Sequence, residues 1–175
     1  MYVDTSALID CAKFVSGIKL KKDYRDLAEN NLKAFRRLCD KYQFVIPYIV
    51  IGEYAYVIQN KIHADENLKI KILNWLWKFV QDNGAIIVPI TDSDLADTLE
   101  TANEILRKEK ENGYYFNRSL DATDSIILAQ ALHDFDSKIL LTTDSRMQEA
   151  TSILDIEKKL GRQNSLTIVD DLSKI

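Results

Sequence analysis

The sequence predicts an α/β fold in three layers, with a mostly parallel sheet of about five strands between helices. Two observations carry this. Short β-rich apolar runs alternate with longer segments of 3.6-residue periodicity. Strands separated by helices pair in parallel, because the return to the same edge of a sheet needs a right-handed crossover of helix length.

The elements follow in order. Tyr2-Val3 is the first run and ends at Asp4. A helix is expected from about Asp23 to Lys41, with Leu27, Asn31, Ala34, Leu38 and Cys39 on its inner face. Phe44-Val45-Ile46 is the second run, and Ile51, Ala55, Ile58 and Ile62 mark the helix after it. Leu68, Ile72, Trp75, Leu76, Phe79 and Val80 define another. The third run is Ala85 to Ile90; Asp92 or Ser93 then reads as the N-cap of a long helix reaching about Glu111. Glu111 to Arg118, with Gly113, Tyr114, Tyr115 and Phe116, reads as the least ordered stretch and an exposed aromatic loop; such rings can stack on bases, although they more often pack locally. A further helix begins near Asp121 and turns Ile127, Leu128, Ala131 and Leu132 inward. Lys138 to Thr142 and Leu166 to Val169 supply the last two strands.

At 175 residues the chain is expected to form a single domain over residues 1–175. Its 46% hydrophobic and 29% charged content, with 5 Gly and 2 Pro, excludes disordered and low-complexity classes. The longest uncharged apolar stretch, Tyr42 to Gly52, contains Pro47 and falls far short of the roughly 20 residues a membrane span needs. Asp4 and Asp10 interrupt the place a signal peptide would occupy, so a cytoplasmic location is expected. Cys11 and Cys39 have neither disulfide nor zinc spacing, and both are expected as buried small hydrophobes.

The net charge of −4 argues against a surface built throughout for nucleic acid. It conceals an asymmetry. Between Lys13 and Lys41 nine Lys and Arg face four acids, a local balance of +5, whereas Asp82 to Asn112 is strongly acidic. A basic arm on an acidic body is compatible with contact to a phosphate backbone, although such runs commonly form only a solvated helix face.

Several acids occupy positions where acids are rare. Asp4 ends the first strand in YVDTSAL, and Asp144 follows the fourth in ILLTTDS. Each alone reads as a helix cap. Glu53 is the sole charge between Lys41 and Lys61, inside the apolar helix YIVIGEYAYVI. It is either partly buried and paired, or it points into a cleft. Asp121 and Asp124 head the helix SLDATDSIILAQAL, Asp121 as its N-cap and Asp124 one turn later. An α/β sheet brings strand ends and helix starts to one edge, so these acids converge. Two carboxylates about 5 Å apart repel by roughly 3 kcal/mol at an effective dielectric near 20, so such a cluster requires a cation to remain ionised. Oxygen-only ligation selects a hard ion, Mg²⁺ or Mn²⁺, and the chemistry implied is in-line hydrolysis of a phosphodiester. The chain contains no GxxxxGK[ST], GxGxxG or GxSxG motif, and His63 and His133 lie in helical segments without acid–base context.

In motif order the sequence resembles the PIN domain, a family of metal-dependent ribonucleases that includes VapC-type toxins. The matching residues are VDTSALID with Asp4, IVIGEYAYVI with Glu53, DSIILAQA with Asp124, and LLTTD with Thr142 and Asp144. The resemblance implies an acidic pocket holding Mg²⁺ or Mn²⁺, endonucleolytic cleavage of RNA, and homodimers. It also implies that Asp4, Glu53, Asp124 and Asp144 are the catalytic and metal-binding acids, with Thr5, Ser6 or Thr142 in supporting hydrogen bonds. For a toxin it further implies a small antitoxin partner. Asp121 leaves open which acid of that helix is the third ligand. The chain also carries extra material around Ser16 to Lys41 and Leu106 to Ser119. Other acid-bearing α/β folds fit less well. A haloacid-dehalogenase-type phosphatase needs a second Asp where Ser6 stands, and a phospho-receiver domain needs a Lys near Thr142-Thr143. The alternative from another class is a non-catalytic RNA- or protein-binding module that retains the fold.

Overall fold

Five strands form one all-parallel sheet: β1 (Tyr2–Val3), β2 (Val45–Pro47), β3 (Ile86–Val88), β4 (Ile139–Leu141) and β5 (Thr167–Val169). The computed structural model describes residues 1–111 and 120–175, so the predicted aromatic loop with Gly113, Tyr114, Tyr115 and Phe116 lies outside the described residues. Eight helices, counted among the described residues, separate and flank the strands: α1 (Thr5–Val15), α2 (Lys22–Leu38), α3 (Tyr48–Asn60), α4 (Glu66–Asp82), α5 (Asp92–Glu111), α6 (Ala122–His133), α7 (Ser145–Gln148) and α8 (Ile153–Leu160).

The strand order is β3-β2-β1-β4-β5. The chain steps from β1 out to β3, then returns to the other side of β1 for β4 and β5. The direction of winding therefore reverses between β1 and β4, and in open parallel sheets the crevice outside the strand ends at such a reversal is where ligands bind. The backbone closes the seam there: the Asp4 N–H donates to Leu141 O at 2.9 Å, and the Thr142 N–H donates to Val169 O at 2.9 Å.

The inner strands are the apolar ones. β1, β2 and β4 are wholly buried, whereas edge strand β3 leaves Ile86 and Ile87 exposed. A strand covered on both faces must be apolar throughout. On one side Phe35 of α2, Phe44 leading into β2, and Phe79 of α4 form an edge-to-face cluster, with centroids 5.2 Å apart for Phe35–Phe44 and 4.7 Å for Phe35–Phe79. The Tyr54 hydroxyl ties α3 to α4 by donating to Ile72 O at 2.8 Å.

Polar groups close the helix ends. Asp65 caps α4 by accepting from the Leu68 N–H at 2.8 Å. The buried Arg162 guanidinium donates to the carbonyls of Leu132, Asp134 and Ser137, satisfying the last turn of α6 and the turn into β4. Asn31 of α2 donates to Asp170 O at 2.9 Å and accepts from the Leu172 N–H at 2.8 Å, which fastens α2 to the C-terminal segment. Gly161 ends α8 at φ 70°, a left-handed position that needs no Cβ.

Some details differ from the expectations. The inner face of α2 is Ala28, Asn31, Ala34, Phe35 and Leu38; Leu27 is only half-buried, because the axis is rotated by about one residue to seat Phe35 in the aromatic cluster. In α3 the buried residues are Val50, Tyr54 and Ile58, while Ala55 is exposed. Cys11 is buried as expected, but Cys39 is half-buried, since it sits just past the end of α2 beside exposed Asp40.

Candidate active site at the reversal of the sheet

Asp4 leaves the carboxyl end of β1 and is the N-cap of α1. Extended backbone at this residue sets its side chain against the first turn. Its Oδ2 accepts from the Ser6 hydroxyl at 2.7 Å, the Thr142 hydroxyl at 2.8 Å and the Ser6 N–H at 3.3 Å. Its Oδ1 is buried with no hydrogen-bond partner among the described residues. The residue is 2% exposed, so burial pushes its carboxyl above the usual range, against the hydrogen bonds from Ser6 and Thr142.

Thr142 follows β4 and extends the same network. Its hydroxyl lies 3.0 Å from that of Ser6 and accepts from the Asp144 N–H at 3.1 Å. Asp144 caps α7, accepting from the Arg146 N–H at 2.8 Å, from Arg146 Nε at 3.0 Å and 3.1 Å, and also from Nη2 of the same guanidinium. Burial opposes its ionisation, but the Arg146 fork outweighs this and holds its carboxyl below the usual range.

Asp124 enters from the head of α6. Asp121 and Asp124 form a reciprocal capping box: the Asp124 N–H donates to Asp121 Oδ1 at 2.9 Å, and the Asp121 N–H donates to Asp124 Oδ2 at 3.3 Å. Asp124 is 4% exposed and its Oδ2 stands 3.1 Å from Arg146 Nη2. Its carboxyl is pushed up to about 7, first by burial and then by neighbouring Asp121 and Asp4, with Arg146 opposing. Arg146 thus bridges two acids without serving them equally, because Asp144 receives the fork and Asp124 one edge.

Glu53 projects from the second turn of α3 and accepts from Thr5 Oγ1 at 2.6 Å. Burial raises its carboxyl, the Thr5 hydrogen bond opposes this, and the charges of Asp4 and Asp121 add to it. Neither of the two ways of placing a charge in this apolar helix foresaw a threonine as the partner.

Asp4, Glu53, Asp124 and Asp144 all line one cleft of about 140 Å³, with Thr5, Ser6, Ile9, Val57 and Arg146. Thr142 is fully buried behind Asp4, and Asp121 is exposed at the rim as a cap rather than in the lining. Arg146 is the participant the sequence reading missed. Its signal was its position two residues after Asp144, in the first turn of a four-residue helix too short for periodicity to reveal.

Charge and donor type suit a hard divalent cation. Four carboxylates face one guanidinium, and Asp4 Oδ1 is a desolvated oxygen lacking a partner among the described residues. As the side chains stand, however, no group of three acids among the described residues is gathered as a ready ion cage. Arg146 occupies the space between Asp124 and Asp144, and Glu53 is turned to Thr5.

A family model described as "PIN domain" matches residues 1–153, most of the 175-residue chain. The chain belongs to the PIN domain family. PIN domains are in general nucleases, and those nucleases typically use divalent metal ions. No curated protein matches the chain. Among the described residues, no helix is long and apolar enough to cross a membrane.

Proposed function

We propose that the chain is an endoribonuclease dependent on Mg²⁺ or Mn²⁺, with Asp4, Glu53, Asp124 and Asp144 as its catalytic acids. The observation that carries this reading is their convergence in one cleft at the reversal of the sheet, with Asp4 Oδ1 buried and without a partner among the described residues. Ser6 and Thr142 fix Oδ2 of Asp4, which leaves Oδ1 as the atom directed to an ion. Thr5 orients Glu53, and the capping box orients Asp124. A bound ion would activate water for in-line attack on a phosphodiester and neutralise charge on the leaving oxygen. Arg146 holds Asp144 ionised and supplies the positive charge that the cleft needs before an ion enters.

Labelled single-stranded RNA incubated with the protein, with and without Mn²⁺ and beside Asp4→Asn, tests this. Cleavage is expected only with metal and the native residue, and cleavage that survives both EDTA and the substitution overturns the mechanism. Absence of cleavage, together with no metal-dependent change in melting temperature, favours instead a binding module on the same fold. The resemblance to VapC-type toxins extends the proposal to growth arrest on expression, relieved by a small protein encoded beside this chain.

A further inference from the structure

A second groove of about 300 Å³ adjoins the acid cleft and shares three of its residues, Ser6, Ile9 and Asp144. It runs along α1 away from Glu53 and is bounded by Asp10, Lys13, Tyr24 and Thr143. Any chain whose scissile phosphate reached the acids would continue along one of the cleft's open ends, and this end is lined differently from the acidic centre.

Three properties suit it to a nucleotide. Lys13 stands in the last turn of α1, half-buried, with no ion pair among the described residues. Tyr24, in the first turn of α2, is 42% exposed and presents an aromatic ring to solvent on the opposite wall. Beyond it Lys19, Lys21 and Lys22 are exposed and likewise have no ion pair among the described residues. They belong to the stretch from Lys13 to Lys41 in which bases exceed acids by five. Asp10 is the one acid facing the groove outside the shared wall, and its carboxylate is engaged by the Thr143 hydroxyl at 2.8 Å. Lys13 also offsets the charge of Asp10, one turn before it on α1. An exposed ring beside a lysine, with further lysines close by in the chain, is the arrangement with which proteins hold single strands, the ring stacking a base and the ammonium groups following the phosphates.

We propose that this groove is a nucleotide subsite for single-stranded RNA flanking the scissile phosphate, with Lys13 on a backbone phosphate and Tyr24 stacked on a base. The inference rests on reading the adjoining cleft as the site of cleavage, but its binding test does not. A duplex keeps its bases stacked internally, so the subsite distinguishes single from double strands.

The test measures the anisotropy of end-labelled single-stranded RNA in EDTA, where no cleavage occurs. Tyr24→Ala is expected to weaken binding about tenfold, with Tyr24→Phe close to the native protein. Lys13→Gln is expected to weaken it several-fold and to reduce the slope of log affinity against log salt by about one. Lys158→Gln, at an exposed lysine on α8 that does not line the groove, serves as the control and is expected to change neither. Duplex RNA of the same sequence is expected to bind at least tenfold more weakly. Melting curves establish that each variant is folded. In cleavage assays the two groove variants are expected to raise KM rather than lower kcat. Native-like affinity in both groove variants, equal affinity for duplex, or no RNA binding by the native protein overturns the subsite. Metal-dependent cleavage that persists when the groove variants bind normally leaves the nuclease reading intact. Groove-dependent binding without cleavage does the reverse.

Discussion

Among the described residues two acid-lined cavities at the sheet differ in how their acids are solvated, and the larger is the weaker candidate for metal chemistry. Beside the acid cleft of about 140 Å³ lies a cavity of about 290 Å³ between the exit of β3, the first turns of α5 and the end of α6. It is lined by Asp94, Asp97 and Asp134, with His133 and Gln130 among them, a set that composition alone would rate as the better metal or acid–base site. The energetics reverse the ranking. Asp94 and Asp97 are exposed, and Asp94 also accepts from the Thr91 hydroxyl, so water and local donors already stabilise both charges. Asp4 and Asp124 are nearly solvent-free, and burial raises both carboxyls. Carboxylates that have lost their water are the ones that need a cation to stay ionised.

The most direct way to break the comparison is to neutralise one acid in each cavity. Asp4→Asn is expected to lower the rate of metal-dependent RNA cleavage by about 100-fold or more, the scale on which loss of one electrostatic stabiliser acts. Initial rates at saturating Mn²⁺ measure it, and a loss below tenfold would show that Asp4 is only a cap. Thr5→Val tests orientation without changing charge. Losing the 2.6 Å hydrogen bond to Glu53 is expected to reduce kcat/KM about tenfold, with Thr5→Ser restoring most of it. Failure of the serine to rescue would indicate packing rather than positioning.

Arg146→Gln sharpens the electrostatic part. It leaves Asp124 and Asp144 facing one another without their shared guanidinium. In EDTA the melting temperature is expected to fall by about 3–6 °C, a modest figure because a third of the Arg146 side chain is exposed and screened by solvent. Added Mg²⁺ should then raise the melting temperature more than it does in the native protein, since an ion now supplies all the compensating charge. Equal stabilisation by Mg²⁺ in both proteins would separate Arg146 from the metal-binding acids.

How much of this was legible depended on what each feature's signal spans. The five strands stood out as apolar runs between helical segments, and most of the longer helices because periodicity accumulates over ten or more residues, as in α4 with Ile72, Leu76 and Phe79 inward. The eleven-residue α1 did not, because it is buried around much of its circumference, at Thr5, Ala7, Leu8, Ile9, Cys11 and Ala12, and shows no single apolar stripe. The acids at strand ends were legible because Asp after an apolar run is rare and the parallel topology brings such ends together. Short helices were not. α7 has four residues, so neither the helix nor Arg146 upon it could be read from pattern. Rotation of α2 by one residue likewise depends on Phe35 meeting Phe44 and Phe79, contacts between residues distant in sequence. Glu53 stands in the cleft, but its partner lies 48 residues away and no local rule connects it to Thr5.

The smallest expected effect closes the comparison from the other side. Asp97 lines the larger cavity, sits on the solvent side of α5 and is exposed, with no ion pair among the described residues. Asp97→Asn removes a unit of negative charge from a cavity about twice the volume of the acid cleft, yet it leaves no buried group without a partner. The melting temperature should therefore change by no more than about 2 °C, as for surface substitutions generally. Cleavage rate should be unchanged within twofold, and the Mg²⁺ dependence should keep its midpoint. A marked loss of metal-dependent activity in Asp97→Asn would mean that solvated acids around the α5–α6 cavity bind the ion. Desolvation would then have been the wrong criterion for choosing between the two cavities.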